Sequence, residues 1–407
     1  FRRVLFRSPE STVQRNAGPR PMLLNFTDLF CGGGGTSTGA SQAARALGYE
    51  PRITAVNHWD LAIRTHAANH PSARHYCARV DSLTPTDLFR PGELDILWAS
   101  PECTHHSRAR GGKPIQDQSR ATAWDVVRWA ECLRPGVILI ENVVEFQEWG
   151  PLGDDGAPIL DLKGEVFGAW IEALRKIGYV VDWRVLCAAD FGDPTSRRRL
   201  FVQAVRRGRK IVWPDPTHSR SKDLFGKPLW RSASEAVIDW SIPATPIAKR
   251  SRALRPKTLR WIRQGLERFG GSPFLVAMEH KGRTISADQP MPTVTCARGG
   301  AIGVAFLISY YGTGGARPIT EPLPTVTCKA RFGLVQASLD QVAFRMLRPH
   351  EYAAAQGFPA GYQFCGTIED QVRQIGNAVP CGFGRALVGS QLLQSSDVSS
   401  LIRGIAA

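Results

Sequence analysis

Leu23-Leu-Asn-Phe-Thr-Asp-Leu-Phe-Cys-Gly-Gly-Gly-Gly35 is an apolar run that empties into four glycines. Leu23–Asp28 reads as a strand, Cys31–Gly35 as a tight turn, and Thr38–Gly48 as the helix that follows. Strand, glycine turn and helix in that order make a nucleotide-type loop, because glycines turn sharply and let the backbone approach a ligand. The Gly-Lys-Ser/Thr of a P-loop is missing, so this is not a triphosphate cradle. A ligand-free βα turn would need the same glycines, so the loop alone does not decide between them.

Outward from that loop the alternation continues. Strands are expected at Ile53–Val56, Leu94–Ala99 and Val137–Ile140, and helices at Leu61–Asn69, Arg120–Leu133 and Val166–Ile177. Tyr179–Leu186 and Leu200–Val205 read as strands of an antiparallel hairpin. Strands alternating with helices predict an α/β fold, a Rossmann-like, mostly parallel sheet with helices on both faces.

Two strand ends carry reactive groups. Ala99-Ser-Pro-Glu-Cys-Thr-His-His-Ser107 presents Cys103, and Val137-Ile-Leu-Ile-Glu-Asn-Val143 presents Glu141. The carboxyl ends of neighbouring parallel strands open into one crevice, where such sheets bind ligands, and a nucleophile facing an acid there is a catalytic arrangement. A lone Cys is commonly an inert buried thiol, and a lone Glu commonly a structural partner for a base. Val56-Asn-His-Trp-Asp60 ends the second strand with His58 in the slot for an acidic ribose partner, and Trp59 offers a flat face to an adenine ring. Thr195-Ser-Arg-Arg-Arg199 is basic enough to bind an anion or to be a solvated turn.

At 407 residues two domains are expected. No apolar run spans a bilayer, which excludes an integral membrane protein. The net charge of +15 suits a polyanionic partner. Between Arg206 and Arg268 stand 16 Lys/Arg against 5 Asp/Glu, interleaved with Trp213, Trp230, Trp240 and Trp261; a solvated basic face would look alike, and contact with a phosphate backbone is the better reading. The nine cysteines have no Cys-x-x-Cys pair, which speaks for a reducing cytoplasm and against a disulfide scaffold or structural zinc. No metal is expected. Residues 1–21 read as a disordered basic tail or a remnant of cloning or assembly.

After Arg209 prolines multiply and helical periodicity thins. Phe274-Leu-Val276 recurs as Phe306-Leu-Ile308, and Pro290-Met-Pro-Thr-Val-Thr-Cys296 as Pro322-Leu-Pro-Thr-Val-Thr-Cys328, at an offset of 32 residues. Two copies are too few for a solenoid and read as paired β-units of one small domain. Helical character returns at Pro349–Gln356 and after Asn377. The expected division is a catalytic and cofactor-binding domain at 22–209, a β-rich domain at 210–371 with repeats 274–305 and 306–337, a segment 372–395 that returns to the first domain, and a tail at 396–407.

Together these segments resemble the DNA (cytosine-5)-methyltransferase family in its own motif order. Asp28-Leu-Phe-x-Gly-x-Gly-Gly35 matches the first motif, Pro101-Glu-Cys-Thr104 stands where the family has Pro-Pro-Cys-Gln, and Glu141-Asn-Val143 matches Glu-Asn-Val. Thr195-x-Arg197-x-Arg199 matches Gln-x-Arg-x-Arg, Arg345-x-Leu347-x-x-x-Glu351 the ninth motif, and Gly376-Asn-Ala-Val379 the tenth. The resemblance runs from about residue 22 to 395.

It implies sequence-specific transfer of a methyl group from S-adenosyl-L-methionine to a cytosine flipped out of double-stranded DNA, a step that costs about a few kcal/mol. Cys103 would add to C6 as nucleophile. Glu141 would donate to ring N3 and accept from the 4-amino group, and Arg199, with Arg197 behind it, would hold O2 and a phosphate. The cofactor would lie over Asp28, Phe30, Gly32, Gly34, Gly35 and Pro101, with His58, Trp59 and Asp81 at its adenosine end and Asn377 completing the pocket. Residues 210–340 would read bases in the major groove. A monomer in the cytoplasm of a bacterium or phage-infected host is implied, with a cognate restriction endonuclease as a candidate partner.

The chain departs from the family at three places. Glu102 replaces a Pro, and a carboxylate beside Cys103 disfavours the thiolate by about 1.4 kcal/mol per pKa unit. Either His105 or His106 offsets it or Glu102 points away. Thr104 and Thr195 replace Gln, and His58 replaces the acidic ribose partner, which predicts weaker cofactor binding. Two other readings stay open, an RNA (transfer RNA) cytosine-C5 methyltransferase and a catalytically impaired DNA-binding homologue.

Overall fold

The computed structural model describes residues 21–101, 118–153, 157–222, 226–269, 274–280, 283–286, 306–309, 313–318, 321–323, 329, 332–337 and 342–395. Cys103, with Glu102, Thr104, His105 and His106, lies outside them, as do 290–296 and 324–328 of the repeat.

The first half builds a seven-stranded sheet. Its strands are β1 (Met22–Leu29), β2 (Tyr49–Asn57), β3 (Arg74–Cys77), β4 (Ile96–Ala99), β5 (Val137–Asn142), β6 (Tyr179–Cys187) and β7 (Arg198–Arg206), in the order β3-β2-β1-β4-β5-β7-β6. The first five run parallel, and β7 is antiparallel to both β5 and β6. All residues of β4 and β5 are buried, as their unbroken apolar runs require of interior parallel strands. One face packs Phe146, Trp149, Phe167, Trp129 and Trp170 under α4 (Gln118–Leu133) and α5 (Glu165–Lys176). The other packs Trp98 and Phe201 against Phe383. The α/β fold expected from the alternation is the fold observed.

Phe383 belongs to α10 (Cys381–Ser395), which lies along α1 (Gly35–Ala46). The approach is close because α1 has glycines where the helices touch. A Cβ at Gly35 would strike the Val379 carbonyl, and one at Gly39 the Cys381 carbonyl. The far end of the chain is thereby laid beside the glycine loop.

The second sheet has the order β10-β9-β12-β11-β13-β14-β8, from β8 (Thr245–Pro246), β9 (Phe274–His280), β10 (Arg283–Ser286), β11 (Phe306–Ser309), β12 (Thr313–Pro318), β13 (Phe332–Ala337) and β14 (Val342–Met346). Both Phe-Leu-Val/Ile repeats form strands, β9 and β11, with β12 between them. Phe332 and Leu334 of β13 share a core with Tyr352 of α8 (Pro349–Ala355) and Val372 and Ile375 of α9 (Ile368–Asn377).

Several boundaries differ from the sequence reading. Helix α1 begins at Gly35 rather than Thr38, because the Thr38 amide already bonds Gly34 O at 2.9 Å. Strand β2 begins at Tyr49, and Pro51 fits there because β3 pairs only Thr54–Asn57 and leaves that edge open. The polar strand β3 has no periodicity to betray it. Helix α9 precedes Asn377, where helix was expected only afterwards; its capping box of Thr367 and Asp370 was the available signal. Trp213 and Trp230 are anchors, their indole N–H groups donating to Asp182 and Asp190.

Candidate active site

The order of the sheet reverses between β1 and β4, and the glycine loop and Pro101 leave the carboxyl ends of those two strands. That is the switch point at which such sheets bind ligands. Phe30 and Gly32 take left-handed backbones (φ 64° and 52°), and Gly34 follows at φ 93° before the helix. A Cβ on Gly32 would meet nothing within 4 Å, so this backbone faces open space.

Asp28, at the end of β1, is 1% exposed. Ser37 donates to its Oδ2 at 2.7 Å, and Oδ1 has no partner among the described residues. Burial pushes the carboxyl up to about 7 against the bond from Ser37. Ser37 Oγ also lies 3.0 Å from His66 Nε2, and His66 Nδ1 lies 2.9 Å from His75 Nε2. With the Ser37 proton on Asp28, His66 donates from Nε2 and accepts at Nδ1 from His75. Burial holds His66 well below the usual histidine range and lowers His70 to about 4. Asp28 is therefore braced from beneath by neutral side chains.

On the other side of β4, Glu141 is 8% exposed at the end of β5, and Arg199 Nε reaches its Oε1 at 3.0 Å. The pairing follows from register, since Glu141 sits opposite Phe201 on the adjacent antiparallel strand. Asn142 Nδ2 donates to Pro101 O at 3.4 Å, tying the Glu141 strand end to the one that leads to Cys103. Arg197 is buried and donates to Gly376 O at 3.2 Å, which fixes the end of α9 where Asn377 is exposed.

Around this centre the other expected residues are less closely gathered. Trp59 caps α2 (Asp60–Asn69), with the Arg373 guanidinium 4.7 Å over its ring. His58 is exposed at the end of β2. Asp81 is held by Arg79 in a forked pair (2.6–3.1 Å), which keeps its carboxyl below the usual range. Sequence reading missed Ser37, His66, Asp193 and Tyr362. Buried Asp193 accepts from Gly382 N at 2.7 Å at the start of α10. Tyr362 donates to Gly33 O at 2.7 Å. Both partnerships join residues with no local pattern in common.

The model of the family described as C-5 cytosine-specific DNA methylase matches residues 24–391. The chain belongs to this family. It is 30% identical over 201 residues to the type II methyltransferase M.AgeI of Thalassovita gelatinovora, 48% of this chain and 42% of that enzyme's length. With the type II methyltransferase M1.HphI of Haemophilus parahaemolyticus it shares 24% identity, over 92% of this chain and 88% of the relative. Among solved structures the fold is like that of a prophage-encoded E. coli protein described as a DNA modification methyltransferase (TM-score 0.56, 18% identity, 92% and 100% of the two chains). The S. pombe Dnmt2 methyltransferase is likewise similar (TM-score 0.55, 16% identity, 92% and 99%).

No helix among the described residues is long and apolar enough to cross a membrane. Nor do those residues gather three or more His, Cys, Asp or Glu side chains into a metal-holding group.

Proposed function

We propose that this protein transfers a methyl group from S-adenosylmethionine to C5 of a cytosine flipped out of duplex DNA, at a specific sequence. The observation that carries the reading is the Glu141–Arg199 pair, 3.0 Å apart at the mouth of the switch-point crevice. Cytosine offers acceptors at O2 and N3 and a donor at its 4-amino group, and this pair presents the Arg199 cation for O2 beside the Glu141 carboxyl, which donates to N3 and accepts from the 4-amino group. Glu141 Oε1 and the Arg199 guanidinium orient each other before the base arrives, so little reorganisation is left for the bound state. Cys103 is the nucleophile that adds to C6 and raises electron density at C5. Arg197 acts behind Arg199 by fixing Gly376, next to Asn377.

The residues at the glycine loop fit S-adenosylmethionine, which when bound supplies an electrophilic methyl group. The open face at Gly32 admits a ligand against bare backbone, and Trp59 offers a ring to adenine. Phe30, Gly34, Gly35 and Pro101 shape the floor, His58 and Asp81 stand at the ribose and adenine end, and Asp28 braces the loop from below. Catalytic chemistry is assigned to residues 22–209 with 372–395, supported by the packing of α10 on α1, and target recognition to 210–371, supported by the separate antiparallel sheet. A monomer in a bacterial or phage-infected cytoplasm, beside a cognate restriction endonuclease where one exists, completes the proposal.

Incubation with cofactor and duplex DNA containing 5-fluorocytosine is expected to trap a covalent complex that Cys103→Ser abolishes. No complex with the unaltered protein would favour the catalytically impaired reading. Labelled methyl transfer in a mixture of duplex DNA and transfer RNA is expected to mark the DNA, and marking of the RNA alone would overturn the DNA reading.

A further inference from the structure

Four consecutive glycines have no side chains with which to hold a loop, and glycine has the widest backbone freedom of any residue. The loop at 32–35 is therefore shaped by what surrounds it. The Gly34 amide donates to Cys31 O at 3.0 Å, and the Thr38 amide and hydroxyl both donate to Gly34 O, at 2.9 and 2.7 Å. The Gly33 carbonyl is fixed by a residue 329 positions away, the Tyr362 hydroxyl at 2.7 Å.

Tyr362 sits on the strap 357–366 that joins α8 to α9, and the strap is itself pinned. Asn69 Nδ2 donates to Gln363 O at 2.8 Å, and Gln363 N donates back to Asn69 Oδ1 at 3.0 Å. Cys365 N donates to Thr65 Oγ1 at 2.8 Å. The Tyr362 ring packs against Phe358 and Phe364, with centroids 4.6 and 5.1 Å away. Phe358 in turn lies in the core that contains Phe332 and Leu334 of β13. Gly34 is cut to fit this visitor, since a Cβ there would come within 2.5 Å of the Tyr362 hydroxyl.

We propose that Tyr362 is a positioning residue for the cofactor loop, delivered by the part of the chain that packs on the second sheet. It acts through the Gly33 carbonyl and holds the loop in the conformer that accepts the cofactor. This rests on the reading that the glycine loop binds S-adenosylmethionine. Without the hydroxyl, the glycines spread over other conformers, and apparent affinity falls with the competent fraction. Burial pushes the Tyr362 hydroxyl up, so it remains a donor across the working pH range.

The test is Tyr362→Phe, which keeps the ring and removes one donor. Calorimetric titration with S-adenosylmethionine is expected to show about a 5- to 30-fold loss of affinity, the range for one hydrogen bond whose buried partner is left unpaired. KM for the cofactor is expected to rise by the same factor while kcat at saturating cofactor holds, as when a binding contribution felt equally in the ground and transition states is removed. Unchanged affinity in the variant overturns the proposal. So does a fall in kcat and melting temperature that accompanies the affinity loss, because that marks a merely structural role. If the unaltered protein fails to bind S-adenosylmethionine, the cofactor reading itself falls and this inference with it.

Discussion

Replacing Glu351 with Ala should be among the most damaging single changes outside the crevice. The carboxylate is fully buried and the Arg345 side chain is 7% exposed. The two form a fork, Arg345 Nη1 to Oε2 at 2.7 Å and Nη2 to Oε1 at 2.8 Å. Each carboxylate oxygen also takes a backbone amide, Asp239 N at 2.9 Å and Arg348 N at 2.7 Å. Glu351→Ala strands a buried guanidinium, which costs about 3–5 kcal/mol, and orphans two N–H groups at about 1 kcal/mol or more each. Arg345 keeps the carbonyls of Ile242 and Asp239, so the net loss is set at about 4 kcal/mol. Urea unfolding followed by tryptophan fluorescence should then shift its midpoint down by about 1.3 M, taking a slope of about 3 kcal/mol/M. The paired change Arg345→Met with Glu351→Leu removes both charges and should recover at least half of that loss, because apolar replacements of whole buried pairs are often neutral. A midpoint shift below about 0.3 M in Glu351→Ala, or a double variant no more stable than the single, would refute the account of a mutually dependent pair.

Asp193 is raised to about 7 by burial, so its contribution to stability is present below about pH 4 and is lost as pH rises through 7. Buried His66 and half-buried His70 act oppositely and lose stability as pH falls from 6.5 towards 4. Asp193→Asn should therefore make the slope of melting temperature against pH more positive between about pH 4 and pH 7, and an unaltered slope would contradict the assignment. His58→Glu restores an acidic ribose partner and should tighten S-adenosylmethionine binding by calorimetry, with unchanged or weaker affinity counting against the ribose slot. A bisulfite map of a methylation-free host expressing the chain should show one methylated sequence context, and scattered or absent methylation would count against specific recognition.

Much of the site can be read along the chain because its signals are local. The apolar run Val137–Ile140 has to be a strand, so Glu141 has to stand at its end. Four glycines after Leu29 have to be a turn, and the alternation of strands and helices sets the sheet. Arg345 and Glu351 are six positions apart and appear as one motif. Polar β3 escaped because it carries little apolar periodicity, whereas α9 did carry signals, a capping box and Ile368, Val372 and Ile375 at helical spacing.

What needed the tertiary structure was every partnership whose two halves share no period. Gly35 and Gly39 read as a loop and a weak helix position, yet they are the surface on which α10 lies. Asp193 reads as a turn residue until Gly382 N is found 2.7 Å away, and Tyr362 reads as an ordinary aromatic until its hydroxyl meets Gly33. Backbone periodicity is set by neighbours a few residues apart, and so it is written in the chain. Which carbonyl a distant hydroxyl reaches depends on how two sheets pack, and that is settled only when both have formed.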